Sequence, residues 1–138
     1  MSRIIYTERP GKIRNQHRRT IAEALRRLSQ KQRVDDGAKD LAALIVFSLH
    51  GIADTVEQTI RAWEKRNYYM KAERFRQKWQ WLEAMIEELS ALIYEKHWDR
   101  LPDLLARLMP HFADITVKRM TRKPEFWRGA YEKFMEED

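Results

Sequence analysis

Residues 41–47 are apolar without interruption until Ser48, and Leu49, Ile52, Val56, Ile60 and Trp63 prolong the run at three- and four-residue spacing. That spacing gathers the later side chains on one face of a helix, while the first turns are apolar nearly all round. A helix from Ala38 to about Arg66 is expected, with its first half at the centre of a bundle, because no polar face is left there for water. The run is far short of the ~20 residues that cross a bilayer, and the amino end has charge but no apolar stretch of secretory type. No membrane span is expected, and a cytoplasmic chain is.

The rest of the sequence falls into segments that can cover such a helix. Ile13, His17, Thr20, Ile21, Ala24, Leu25 and Leu28 line one face of a helix from about Lys12 to Gln32, and Asp35, Asp36 and Gly37 form the turn and N-cap that follow. After a reversal at Asn67, Tyr68 and Tyr69, the seam Phe75, Trp79, Leu82, Ile86, Leu89 and Ile93 predicts a third helix from about Tyr69 to Lys96. Helices two and three then make a long antiparallel hairpin. Asp99 is expected to cap a fourth helix through Leu101, Leu104, Leu105 and Leu108, kinked at Pro110, and a short last helix is expected to begin at Pro124. Residues 1–11, closed by Pro10 and Gly11, read as an extended arm.

Only four glycines and four prolines occur in 138 residues, a third of which are charged, the composition of helices. One ordinary domain fits that length, with a core that needs no metal or disulfide. The expected fold is all-α: an antiparallel bundle of four main helices over residues 12–138, with the arm before it and the short helix at its end. Cysteine is absent, which excludes a disulfide framework, a thiolate nucleophile and a Cys-ligated metal.

Charge is placed rather than spread. The first thirty-four residues hold ten Lys or Arg against Glu8 and Glu23, in a chain whose net charge is +6, so everything after Val34 is close to neutral. Like charges repel at positions such as Arg14 and Arg18, without the alternating signs of a merely solvated helix. Arg14, Arg18, Arg19, Arg26, Arg27, Lys31 and Arg33 are therefore candidate contacts to an anionic partner. Arginine forks bind phosphate and carboxylate alike, so nucleic acid, an acidic protein and an anionic membrane all qualify.

A second candidate lies between Arg61 and Trp81, where basic residues interleave with aromatic ones and only Glu64 and Glu73 oppose them. Cations neutralise phosphates, and exposed aromatic faces stack bases. Trp63, Phe75 and Trp79 fall on the core seams, which leaves Tyr68, Tyr69 and Trp81 for stacking, beside Lys65, Arg66, Lys71, Arg74 and Lys78. Arg74 and Lys78 share an arc with Trp81 and Met85, so they either pair with Glu57 and Asp54 of helix two or line a basic groove continuous with helix one.

Nothing marks a catalyst. No histidine pairs with another at i,i+4 or follows a glutamate by three residues, and there is no nucleophile elbow or phosphate-cradling glycine loop. His50, Asp54 and Glu57 are the best acid–base set and read as an exposed helix pair; His17 reads as a hydrogen-bonded core residue. No cofactor and no metal site are expected. Glu83, Glu87 and Glu88 form an acidic outer face, and Phe126, Trp127 and Tyr131 offer a surface either for the chain's own bundle or for a homo-oligomer. The expected function is a non-catalytic protein holding RNA or DNA without strong sequence preference. The alternative is an assembly subunit that docks an acidic protein through its basic arm and helix.

Overall fold

In the computed structural model, which describes residues 9–137, the central apolar helix is α2 (Asp36–Lys65). Asp35 opens it, its carboxylate accepting the Ala38 amide at 2.8 Å. Leu41, Ile45, Leu49 and Ile52 are withdrawn from solvent, and helices from both ends of the chain cover them. α1 (Pro10–Ser29) runs antiparallel to α2: Arg14 meets Thr55 and Thr59, while Lys31, past the far end of α1, reaches Asp35. Pro10 stands in the first turn of α1, where its missing N–H leaves no bond unmade. The interruption expected at Pro10 and Gly11 is therefore corrected, and the remainder of the expected arm lies outside the described residues.

α2 ends on Asn67 in the left-handed conformation, φ 65°, with Tyr68 N donating to Trp63 O at 2.8 Å and Asn67 N to Glu64 O at 3.0 Å. This double bond closes the helix and throws Tyr68 and Tyr69 outward. The single helix expected over residues 69–96 is two helices, α3 (Tyr69–Lys78) and α4 (Trp81–Tyr94). Tighter turns separate them, Gln80 N bonding Gln77 O and Leu82 N bonding Trp79 O. In an unbroken helix, residues two apart diverge by about 200° and one of the two indoles would face water. The break brings the Trp79 and Trp81 rings 5.8 Å apart on the same side, partly buried against the core.

α5 (Leu101–Leu108) is entered through a 3₁₀ turn at Trp98–Arg100, so Asp99 lies within that turn and makes no cap. Pro110 ends this helix instead of kinking it: Met109–Phe112 is a second 3₁₀ turn, with Phe112 buried. Residues 113–129 then cross α1 as an irregular strap, containing one 3₁₀ turn at Pro124–Phe126 where a helix was expected to start. Gly129, at φ 84°, turns the chain into α6 (Ala130–Glu136). Asp40 of α2 accepts Gly129 N at 3.3 Å and Tyr131 N at 2.9 Å, capping α6 from a neighbouring helix. Phe134 packs against Phe47 and Tyr94, and Tyr131 against Trp98, so the aromatic end of the chain closes on its own core. Among the described residues there is no strand, and no helix is long and apolar enough to cross a membrane.

Candidate nucleic-acid interface

The arginines of α1 do not project as an unneutralised field. The strap lies over them, and they hold it mainly through its backbone carbonyls. Arg19 donates to Glu23 at 2.8 Å and to Arg119 O at 2.7 Å; Arg26 donates to Val117 O; Arg27 donates to Arg122 O at 3.2 Å and stacks on Trp127 at 4.6 Å. Arg18 forms a two-pronged pair with Asp114, at 3.0 and 2.5 Å, and also donates to His111 O. Arg14 is spent inward on Thr55 and Thr59 and lies over the Phe75 ring at 4.8 Å; burial lowers its pKa. Lys31 pairs with Asp35, and Arg33 is exposed.

Glu23 anchors this junction. It is 1% exposed, yet its oxygens accept Thr121 N, Thr121 Oγ1 and Arg122 N at 2.8, 2.5 and 2.8 Å, besides Arg19 Nε. Burial alone would raise the carboxyl, but the Arg122 amide, the Thr121 hydroxyl, Arg19 and the Thr121 amide together hold it down at about 2. The one acid of this helix is thus the hinge pin of the strap.

The α2–α3 turn presents the opposite situation. Tyr68, Tyr69 and Met70 are 51%, 61% and 72% exposed, and they share an open depression with Asn67, Lys71 and Arg74. Lys65, the last residue of α2, and Arg66, which follows it, are exposed. The two acids that could neutralise this tip, Glu64 and Glu73, are both taken by Arg76, at 3.1 and 2.8 Å. Their hydrogen bonds raise the Arg76 pKa. Glu57 pairs with Arg61 instead, and Asp54 acts on His17, so neither takes Arg74 or Lys78 as an interhelical partner. Lys71 places its ammonium 4.7 Å over Trp63, a contact that keeps its charge at the surface.

One turn beyond Arg74, Lys78 lines a groove of about 360 Å³ shared with Arg14, Asn15 and Arg18 of α1. Phe75, Trp79, Trp81 and His111 form its aromatic wall, and Asp114 is its acid. His111 lies flat on Trp81, ring centres 3.7 Å apart and planes 11° from parallel. Arg18 Nε and Trp79 Nε1 are buried here with no acceptor among the described residues. The structure therefore joins Arg14, Arg18 and Lys78 in one groove and Tyr68, Tyr69, Lys71 and Arg74 at the adjoining tip, and separates both from Arg19, Arg26, Arg27, Lys31 and Arg33.

His50 and Glu57 border a separate shallow groove between α2 and α4, which Asp54 does not line. His17 is half-buried over Gly51, and His97 sits 3.3 Å from Glu95. Among the described residues no three His, Asp or Glu side chains gather closely enough to hold a metal. Of the acidic outer face, Glu88 accepts both prongs of Arg107 from α5. The strap adds exposed cations that the sequence pattern did not single out: Lys118, Arg119, Lys123 and Arg128, beside exposed Phe126. Their crowding around a single Glu125 was the available signal. No family model, curated protein or solved structure matches this chain.

Proposed function

We propose that the chain is a non-catalytic protein that holds nucleic acid without strong sequence preference, through the α2–α3 tip and the groove beside it. The observation that carries this reading is the capture of Glu64 and Glu73 by Arg76, which leaves Lys65, Arg66, Lys71 and Arg74 without an acidic partner among the described residues, around exposed Tyr68 and Tyr69. Cations beside open ring faces meet the two needs of a polynucleotide, phosphate neutralisation and a surface for its bases. Contacts of this kind position a backbone and carry no base code, so affinity without strong specificity is the expectation. Arg19, Arg26 and Arg27 drop out of the contact set, because they hold the strap.

A second reading, docking of an acidic protein, is favoured by Tyr68, Tyr69 and Met70 standing exposed in succession, since tyrosine, methionine and arginine are what protein interfaces bury. Charge reversal separates the contact set from the scaffold. K71E/R74E is expected to lower affinity for a fluorescent oligonucleotide by tenfold or more, while R26A leaves affinity unchanged and lowers stability. Equal affinity in wild type and K71E/R74E removes the tip from the function.

A further inference from the structure

The break between α3 and α4 builds something a continuous helix cannot. Trp79 and Trp81 come to lie 5.8 Å apart with planes at 31°, and His111, from the turn after α5, continues the series at 3.7 Å and 11°. Phe112 meets Trp81 edge-on at 6.2 Å and holds it in place from below. The result is a ladder of three rings, Trp79 tilted against Trp81 and Trp81 stacked on His111. Its inner end is packed on the core, and its outer member, His111, is an exposed residue stacked on Trp81. An aromatic ladder that ends in open solvent has room for one more ring.

We infer that this ladder is a slot for a single unpaired nucleobase, which stacks on the outer face of His111 while its phosphate lies toward Lys78. The inference rests on the nucleic-acid reading above and narrows it to single strands and frayed ends. Three features support the assignment. The groove, at about 360 Å³, is of the scale of one small ligand, not of a duplex. Its charge is net positive, because Arg14, Arg18 and Lys78 face a single acid, Asp114, which Arg18 holds and Lys78 also draws on. And a base inside a duplex has both ring faces covered by its neighbours, so only an unpaired or terminal base can offer one to His111. Burial lowers the His111 pKa, which favours the neutral imidazole and an attraction by stacking. Arg74 and Lys78, one turn apart on α3, connect the slot to the tip.

Two measurements on the full chain test this. In the first, imidazole NMR signals of His111 are followed on titration with AMP and with ribose 5-phosphate. AMP is expected to move the His111 carbon-bound protons upfield, by the ring current of a stacked base, and ribose 5-phosphate is not. Absence of a His111 shift with AMP, or an identical shift with both, overturns the slot. In the second, a single-stranded oligonucleotide and a duplex of the same length are compared at one ionic strength. Wild type is expected to bind the single strand at least about fivefold tighter, a factor within the range of one stacked base and achieved against the denser charge of the duplex. Trp81→Leu is expected to weaken single-strand binding and to remove that preference. Equal binding of both forms by wild type, or a preference that survives Trp81→Leu, counts against the slot while leaving the polyanion reading intact. AMP stacking on His111 with no oligonucleotide bound upholds the slot and ends the polymer reading.

Discussion

Glu23 and Thr121, ninety-eight residues apart in sequence, are joined twice: the threonine amide and hydroxyl both donate to the buried carboxylate, at 2.8 and 2.5 Å. That pair, with the Arg122 amide and Arg19, is what pins an irregular strap to a helix. Glu23→Ala removes the common acceptor and leaves buried donors unpaired, so a loss of roughly 3–5 kcal/mol is expected in urea denaturation. Thr121→Val removes one hydroxyl and is expected to cost only about 1 kcal/mol.

The same carboxylate sets the acid limit. Its folded-state pKa, about 2, is below its ordinary value of 4.5, so its stabilisation is complete above pH 4.5 and drains away as pH falls from there toward 2. That difference corresponds to about 3 kcal/mol. His17 and His111 act in the same direction at higher pH, since burial lowers both from 6.5 and their contribution declines as pH falls below that value. For His17, Asp54 opposes this and Arg122 reinforces it. Stability measured against pH is therefore expected to decline gently below 6.5 and steeply below 4.5. Glu23→Gln should make the steep limb shallower, leaving the smaller acid-side contributions of Asp35 and Asp114, whose carboxyls are also held below their ordinary value.

Gly51 lies in the interior of α2, where alanine ordinarily adds up to about 1 kcal/mol of helix propensity. A Cβ there would stand 2.3 Å from His17 Nε2 and 2.6 Å from Cε1, so the imidazole would have to leave its seat. Gly51→Ala is expected to destabilise by roughly 1–3 kcal/mol. In His17→Ala the same substitution should become neutral or stabilising, which a double-mutant cycle in thermal denaturation will show.

Lys96 ends α4 at φ 57°, with His97 N bonding Leu92 O and Lys96 N bonding Ile93 O, a geometry that glycine adopts without steric cost. Lys96→Gly is expected to stabilise by about 0.5–1 kcal/mol, read as a shift of the denaturant midpoint at unchanged slope.

α1 and α2 were legible in the sequence to within about three residues, because their apolar spacing has one interpretation and Asp35 marks the start of α2. The break at Trp79 and Gln80 was not, since Phe75, Trp79, Leu82 and Ile86 keep helical spacing straight through it. A tightened turn leaves no gap in such a pattern. The partners of Arg19, Arg26 and Arg27 were invisible for a different reason: they are backbone carbonyls, which every residue carries. The exposed tip could be read, because Tyr68 and Tyr69 have no place on either core seam. Arg76 and Glu73 stand one turn apart, but that Arg76 would also claim Glu64, twelve residues back across the turn, could not be read, as Glu64 has Arg61 within helical reach.

The most direct test of the tip as a polyanion site is the salt dependence of oligonucleotide binding, followed by fluorescence anisotropy in wild type and in K71A/R74A. A straight line of log affinity against log salt is expected, its slope reduced in magnitude by about 1.4 in the double variant, about 0.7 for each single-strand phosphate that is no longer neutralised. Binding that ignores salt, no binding to any single- or double-stranded oligonucleotide, or a slope that the two substitutions leave untouched would contradict the account.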